Sequence, residues 1–298
     1  MGGRIPEIID AGRLAAAPLP EHGAESGKAE RGKLLIAAGS TGLPGAAILA
    51  ARAALRVGCG TVRVAIPKSA AVAVGAAVPE LMVLPLPETD TGGAARNALS
   101  VLKDQFEACD AAVVGPGLGS HDATVRFASR FVAASTLPTV VDADALLAWG
   151  SAGRPEGPGP RVLTPHAGEM ARLLGVEPEA VEVDRVELAA RTAEEWGAVM
   201  VLKGRETLVA GRGFYVNKAG TPGLGTAGSG DVLAGVIGGL LARGADPTAA
   251  ALWGVHLHAL AGEAAARRLG DDGLLASDVV DALPEAMLAL LAAVREAG

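Results

Sequence analysis

The sequence predicts an α/β domain whose mostly parallel sheet is covered by helices on both faces. Three observations lead there. Short apolar or β-branched runs alternate with alanine-rich amphipathic stretches from Lys33 onward. Half of the 298 residues are hydrophobic and 20% are charged, enough to bury a large core without staples. No long low-complexity linker divides the chain, which favours one domain over two.

Residues 1–32 are polar, irregular and rich in Gly, Pro and Ala, and read as an N-terminal arm or short helical lead-in. Residues 33–298 read as the single domain. Leu34–Ala38 is the first expected strand and Ala46–Val57 an alanine-rich helix; Val62–Ile66 and Lys68–Ala77 repeat the pair. Ala111–Val114, Thr139–Val141 and Val199–Leu202 have the uniform apolar character of strands buried on both faces. Helices are expected between them at Ala123–Ala134 and Val186–Trp196. Leu208–Ala210 and Gly213–Val216 read as a β-hairpin turned at Gly211-Arg212, implying an antiparallel edge. Beyond Gly230 the chain reads as helical to its end. Pro85–Gly93 and Gly150–Pro160 read as exposed loops.

Several classes are disfavoured. Net charge is −7 with no run of Lys and Arg, which argues against nucleic acid as a partner. The first twenty residues hold Arg4, Glu7, Asp10 and Arg13 and do not form a secretory signal. The longest apolar stretch, Val232–Leu241, is too short to cross a bilayer. Two cysteines, Cys59 and Cys109, do not make a disulfide framework, and a reduced, cytoplasmic protein is expected. No Cys/His metal spacing occurs, and no residue is assigned as a metal ligand.

Four segments carry candidate chemistry. In Gly225-Thr226-Ala227-Gly228-Ser229-Gly230-Asp231, small residues run directly into a helix. Backbone N–H groups of Gly228, Ser229 and Gly230 can close around an anion there, with Asp231 facing it as a base. The same pattern also suits an ordinary helix N-terminus. In Thr164-Pro165-His166-Ala167-Gly168-Glu169, part of the pattern is helix capping, and His166 stands at a strand-to-helix turn, functional or merely exposed. Lys203-Gly204-Arg205-Glu206-Thr207 follows a strand end, where a lysine reaches a phosphate or is simply solvated. Gly115-Pro116-Gly117-Leu118-Gly119 mimics a dinucleotide-binding turn, although Pro116 removes an N–H from it. Asp142 and Asp144 end a strand and could help hold a metal–phosphate complex. His256 and His258, two apart on a helix, do not form a metal pair.

Taken in order, these segments and Gly39-Ser40-Thr41-Gly42-Leu43-Pro44-Gly45-Ala46-Ala47 resemble the ADP-dependent (S)-NAD(P)H-hydrate dehydratases of the ribokinase-like superfamily. The likeness runs over about residues 33–290. The Asp231 loop is shared across the superfamily, whereas the Thr-Pro-His and Gly-Ala-Ala stretches select the family. Departures are Leu43 where an aromatic is common, Ala167 where Pro is common, and Ser229 where Thr is usual.

The resemblance implies a ribokinase-like three-layer α/β/α sandwich. It places the hydrate on Ala46, Gly119, His166 and Asp231, and the adenine nucleotide on Lys203, Gly204, Arg205, Glu206, Thr207 and Gly230. It implies ADP as co-substrate, Mg²⁺, NADHX and NADPHX as substrates, and Asp231 as general base. A homotetramer, and cooperation with a separate NAD(P)HX epimerase, are family-level expectations. Two rivals remain at this point: a same-fold small-molecule kinase acting on a vitamin precursor or sugar, and a non-catalytic adenine-nucleotide or NAD-binding module.

Overall fold

In a computed structural model, which describes residues 5–23, 27–151 and 157–298, the chain alternates strand and helix much as its apolar periodicity requires. The elements are β1 (Glu7–Ile8), α1 (Ala11–Ala15), β2 (Lys33–Ala37), α2 (Pro44–Arg56), β3 (Thr61–Pro67), α3 (Lys68–Ala77), β4 (Met82–Leu86) and α4 (Lys103–Ala108). Then come β5 (Ala111–Val114), α5 (Asp122–Ala134), β6 (Thr139–Val141), α6 (Asp144–Ser151), β7 (Arg161–Leu163), α7 (Ala167–Leu174), α8 (Pro178–Val183) and α9 (Arg185–Trp196). The last are β8 (Val199–Leu202), β9 (Thr207–Ala210), β10 (Phe214–Asn217), α10 (Ser229–Ala242), α11 (Pro247–Leu269) and α12 (Ala276–Ala297).

The ten strands form one sheet in the order β1-β10-β9-β8-β7-β6-β5-β2-β3-β4. From β8 to β4 every pair is parallel, while β9 runs antiparallel to both β8 and β10. Successive residues of a strand face opposite ways, so each strand feeds two cores. Leu34, Ile36, Val113 and Val140 pack with α2, α10, α11 and α12; Leu35, Ala37, Val114 and Val141 pack with α5, α6, α7 and α9. This is the expected three-layer sandwich. Close helix packing needs small residues: a Cβ on Gly235 of α10 would lie 2.1 Å from the Ala50 carbonyl oxygen of α2.

Strand order reverses between β2 and β5, which opens a crevice at their carboxyl ends. The loops leaving these strands meet there. Gly39 N–H donates to the Pro116 carbonyl at 2.7 Å, and a Cβ on Gly117 would press on Ala46.

Three details were not legible in the periodicity. The N-terminal segment joins the sheet through β1, parallel to β10, so the hairpin is flanked by a further strand rather than forming the edge. Ile9 and Leu14 are buried, and Trp253 donates to the Ala17 carbonyl. Second, β4 extends into the expected Pro85–Gly93 loop; Pro85 is tolerated because β4 is an edge strand. Third, α6 reaches Ser151 in the expected Gly150–Pro160 loop, of which residues 152–156 lie outside the described residues.

Candidate active site

The site begins at the N-terminus of α10. Gly228 is the N-cap, in the left-handed region at φ 87°, where a side chain would also strike Leu49. The amides of the first helical turn have no partner within the helix, and the positive end of the helix dipole lies with them. Asp231 occupies that turn. Burial chiefly, then the neighbouring Asp142 carboxylate, pushes its carboxyl up to about 7; Lys203 opposes the shift and Asp144 adds to it. An acid that changes charge near neutrality suits proton transfer.

Three further strand ends supply the surrounding groups. At the end of β6, Ala143 adopts a left-handed φ of 47°, and the flanking carboxylates serve different partners. Asp144 accepts from the Gly119 N–H at 2.7 Å, while Asp142 Oδ1 accepts from Thr164 Oγ1 at 2.7 Å and from Lys203 Nζ at 2.9 Å. The Asp142 chain needs room here, since a Cβ on Gly115 would lie 1.7 Å from its carbonyl oxygen. After β7, His166 caps α7: its Nδ1 accepts from the Gly168 and Glu169 amides, and Glu169 accepts in return from the His166 N–H. An accepting Nδ1 leaves the ring hydrogen on Nε2.

Lys203 follows β8 and is joined to the β7 loop by its amide, which donates to the Pro165 carbonyl at 2.8 Å. Its side chain is not a solvated strand end. The ammonium lies 3.7 Å from Glu169 as well as against Asp142, and a Cβ on Gly230 would lie 3.4 Å from it. Burial disfavours its charge, but Asp142, Glu169 and Asp231 together outweigh burial and raise its pKa. Arg185 fixes the turn that follows, donating to the carbonyls of Leu202, Lys203 and Glu206.

Asp142, His166, Glu169, Lys203 and Asp231 line one cleft of about 1170 Å³. His166, Lys203, Gly204, Arg205, Glu206, Thr207, Gly228, Ser229, Gly230 and Asp231 all face it. Ala46 and Gly119 do not. They lie beside it at the β2–β5 crevice, tied in through Asp144 and Gly117. The sequence reading did not single out the far wall. Asn217 and Leu224 belong to it, and its loop is anchored where Gly220 N–H donates to Glu263 and His256 bonds Asn217. His258, read only as half of an improbable metal pair, contacts Ser229. Among the described residues, no set of three or more His, Cys, Asp or Glu side chains converges to hold a metal alone, and no helix is long and apolar enough to cross a membrane.

A doubly wound sheet with a glycine-capped helix start and a buried acid in its first turn is the architecture of a ribokinase-like enzyme. Fold comparison agrees: a ribokinase-like superfamily protein of Enterococcus faecalis superposes with a TM-score of 0.82 at 25% identity, over 95% of this chain and 96% of that one. The chain belongs to the NAD(P)H-hydrate dehydratase family, whose model matches residues 34–285. It is 42% identical over 288 residues to the ADP-dependent (S)-NAD(P)H-hydrate dehydratase of Xanthomonas campestris, covering 95% of this chain and 97% of that protein. It is 44% identical over 271 residues to the bifunctional NAD(P)H-hydrate repair enzyme of Moorella thermoacetica, covering 89% of this chain but only 51% of that longer protein. The chain thus spans about half the length of its bifunctional relatives. The ADP/ATP-dependent NAD(P)H-hydrate dehydratase of Bacillus subtilis, co-crystallised with ATP and Mg²⁺, superposes with a TM-score of 0.82 at 29% identity, over 97% of this chain and 99% of that one.

Proposed function

We propose that this enzyme dehydrates (6S)-NADHX and NADPHX at the expense of ADP, giving NADH or NADPH, AMP and phosphate. The observation that carries the reading is Asp231, a carboxyl raised to about 7 and set in the first turn of α10. Hydroxide leaves C6 of the hydrated ring poorly, and phosphate leaves it well. Asp231 takes the proton of the 6-hydroxyl, and the oxygen attacks the β-phosphorus as AMP departs. Amides of Gly228–Gly230 receive the charge of the transferring group. The ring nitrogen lone pair then expels phosphate from C6, and loss of a C5 proton restores the dihydropyridine.

His166, whose Nε2 lies 3.5 Å from Glu169 Oε1 on the cleft wall, is assigned to the hydrate together with Ala46 and Gly119. Lys203–Thr207 and Gly228–Gly230 are assigned to the nucleotide. The donor chemistry suits Mg²⁺: Asp142, Glu169 and Asp231 line the cleft against Lys203, all hard oxygen ligands. Of the two carboxylates expected to hold such an ion, Asp142 faces the cleft and would do so with the nucleotide phosphates, while Asp144 accepts from the Gly119 amide beside it; when bound, the ion supplies neutralisation of phosphate charge. Action in the cytoplasm, a homotetramer, and an epimerase supplied by a separate protein complete the proposal.

The test is direct. Freshly prepared S hydrate with ADP and Mg²⁺ should regain the absorbance of reduced nicotinamide, with one AMP and one phosphate per turnover. Failure to recover NADH while nucleotide is bound would defeat this reading, and phosphorylation of an added alcohol instead would mark a kinase.

A further inference from the structure

His258 is a buried titratable group that the mechanism above leaves without a role. It lies within α11, 8% exposed, with Nε2 at 3.1 Å from Ser229 Oγ. Ser229 is itself only 5% exposed and is the first helical residue of α10, between two glycines whose amides are assigned above to the phosphate. Both residues line the cleft. Burial holds the imidazole down to about 4, with contact to the Ser229 backbone opposing and the charge of Lys203 assisting, so the ring is neutral at neutral pH.

A neutral imidazole carries one N–H and one bare nitrogen. With Nε2 bare, the Ser229 hydroxyl would donate to it and turn only a lone pair toward an incoming phosphate. With hydrogen on Nε2, Ser229 Oγ accepts, and its own hydrogen is free to point into the cleft. A phosphate offers acceptors only, so the second arrangement alone is compatible with an anion at the loop. Lys203 also approaches the loop, its Nζ 3.4 Å from where a Cβ on Gly230 would lie.

We infer that His258 is a positioning residue of the nucleotide site, whose Nε2–H holds Ser229 Oγ and so directs the serine hydroxyl hydrogen at the transferring phosphate. The inference rests on the assignment of ADP to this loop.

The experiment uses the full chain. ADP affinity by calorimetry, and KM for ADP and for S hydrate, are measured for wild type, Ser229→Ala, His258→Leu, His258→Gln and the Ser229→Ala/His258→Leu double variant. Ser229→Ala and His258→Leu should each weaken ADP binding about tenfold, the scale of a hydrogen bond to a charged group, with the KM for hydrate within twofold of wild type. His258→Gln, whose amide N–H reaches a similar point, should recover most of the loss. The double variant should be no weaker than Ser229→Ala, because the two residues act as one unit. Unchanged ADP affinity in folded His258→Leu, multiplied losses in the double variant, or no recovery with Gln would overturn the inference. A second measurement needs no variant: the ¹⁵N spectrum of the ADP-bound wild type should show a protonated His258 Nε2, and a bare Nε2 would also overturn it. Should wild type fail to bind ADP, the nucleotide assignment itself falls, an outcome distinct from a failure confined to the variants.

Discussion

Lys203, after β8, and Asp142, after β6, reach across the intervening end of β7 to form a 2.9 Å ion pair in which the aspartate side chain is 1% exposed and the lysine side chain 18%. Thr164 donates to the same carboxylate oxygen. The pair sits beside Asp231 and acts on it from both sides, since Asp142 raises its pKa and Lys203 lowers it.

Asp231→Asn should bind ADP nearly normally and lose turnover by roughly 10²-fold or more, the scale of removing a general base. In wild type, the rate should rise with pH through about 7, because the base works only when ionised. Stability moves the other way. A carboxyl raised in the folded state holds its proton more tightly there than when unfolded, so stability falls as pH rises from the ordinary carboxylate range to about 7. Asp231→Asn should therefore be more stable than wild type at pH 8 in chemical denaturation, by about 1–3 kcal/mol after allowing for partial exposure. Full activity of the Asn variant, measured by NADH recovery, would remove Asp231 from the chemistry.

Substituting the two members of the ion pair should shift the acid limb of the pH–rate profile in opposite directions. Asp142→Asn removes a charge that raises Asp231, so the limb should move to lower pH. Lys203→Ala removes a charge that lowers it, so the limb should move to higher pH. The same profile in both variants would mean that neither group acts on Asp231.

Lys203→Ala should also cost stability, unlike the loss of an exposed strand-end lysine. It leaves the buried Asp142 carboxylate without its cation, and breaking such a pair costs about 3 kcal/mol. Chemical denaturation should show that loss alongside weaker ADP binding. A stable variant with weakened ADP binding would confine Lys203 to the nucleotide.

His166→Ala should raise the KM for hydrate more than that for ADP, and should cost about 1 kcal/mol through loss of the α7 cap. His166→Asn separates the two effects, since asparagine is a good cap. Its melting temperature should return to wild type while the KM for hydrate stays high. Recovery of both together would reduce His166 to a capping residue.

Arg161 offers a test away from the site. Its guanidinium is buried and donates to the carbonyls of Val132, Ser135, Leu137 and Pro160, closing the end of α5. Arg161→Met should destabilise the fold by about 2–4 kcal/mol by leaving buried carbonyls unpaired, with turnover per folded molecule unchanged. A melting temperature equal to wild type would show that those carbonyls find other donors.

Much of the fold was legible from period and composition. Lys68–Ala77, Ala111–Val114, Thr139–Val141 and Val199–Leu202 fall at the expected boundaries, because apolar runs of strand length need no knowledge of their neighbours. The strand β1 was hidden because two pairing residues in a polar segment make no periodic pattern, and its pairing with β10 lies far along the chain. Of the site, the loops at strand and helix ends carried local signals: small residues before Asp231, the Thr-Pro-His turn, and lysine after an apolar strand. Asn217 and Leu224 carried none, being ordinary residues made part of the cleft by where α11 places them.

The sequence by itself determined most of the alternation of strands and helices, the small-residue start of α10, and the residue types that reach the sheet edge. It could do so because helix termini, turns and buried strands are set by residues within a few positions of one another. Only the tertiary structure decided what those groups are chemically. Whether Lys203 meets solvent or Asp142, sixty-one residues away, depends on strand order, and the titration of Asp231 near 7 depends on what buries it and which charges share its cavity. Desolvation and charge coupling act through space, and strand order alone brings these residues within range.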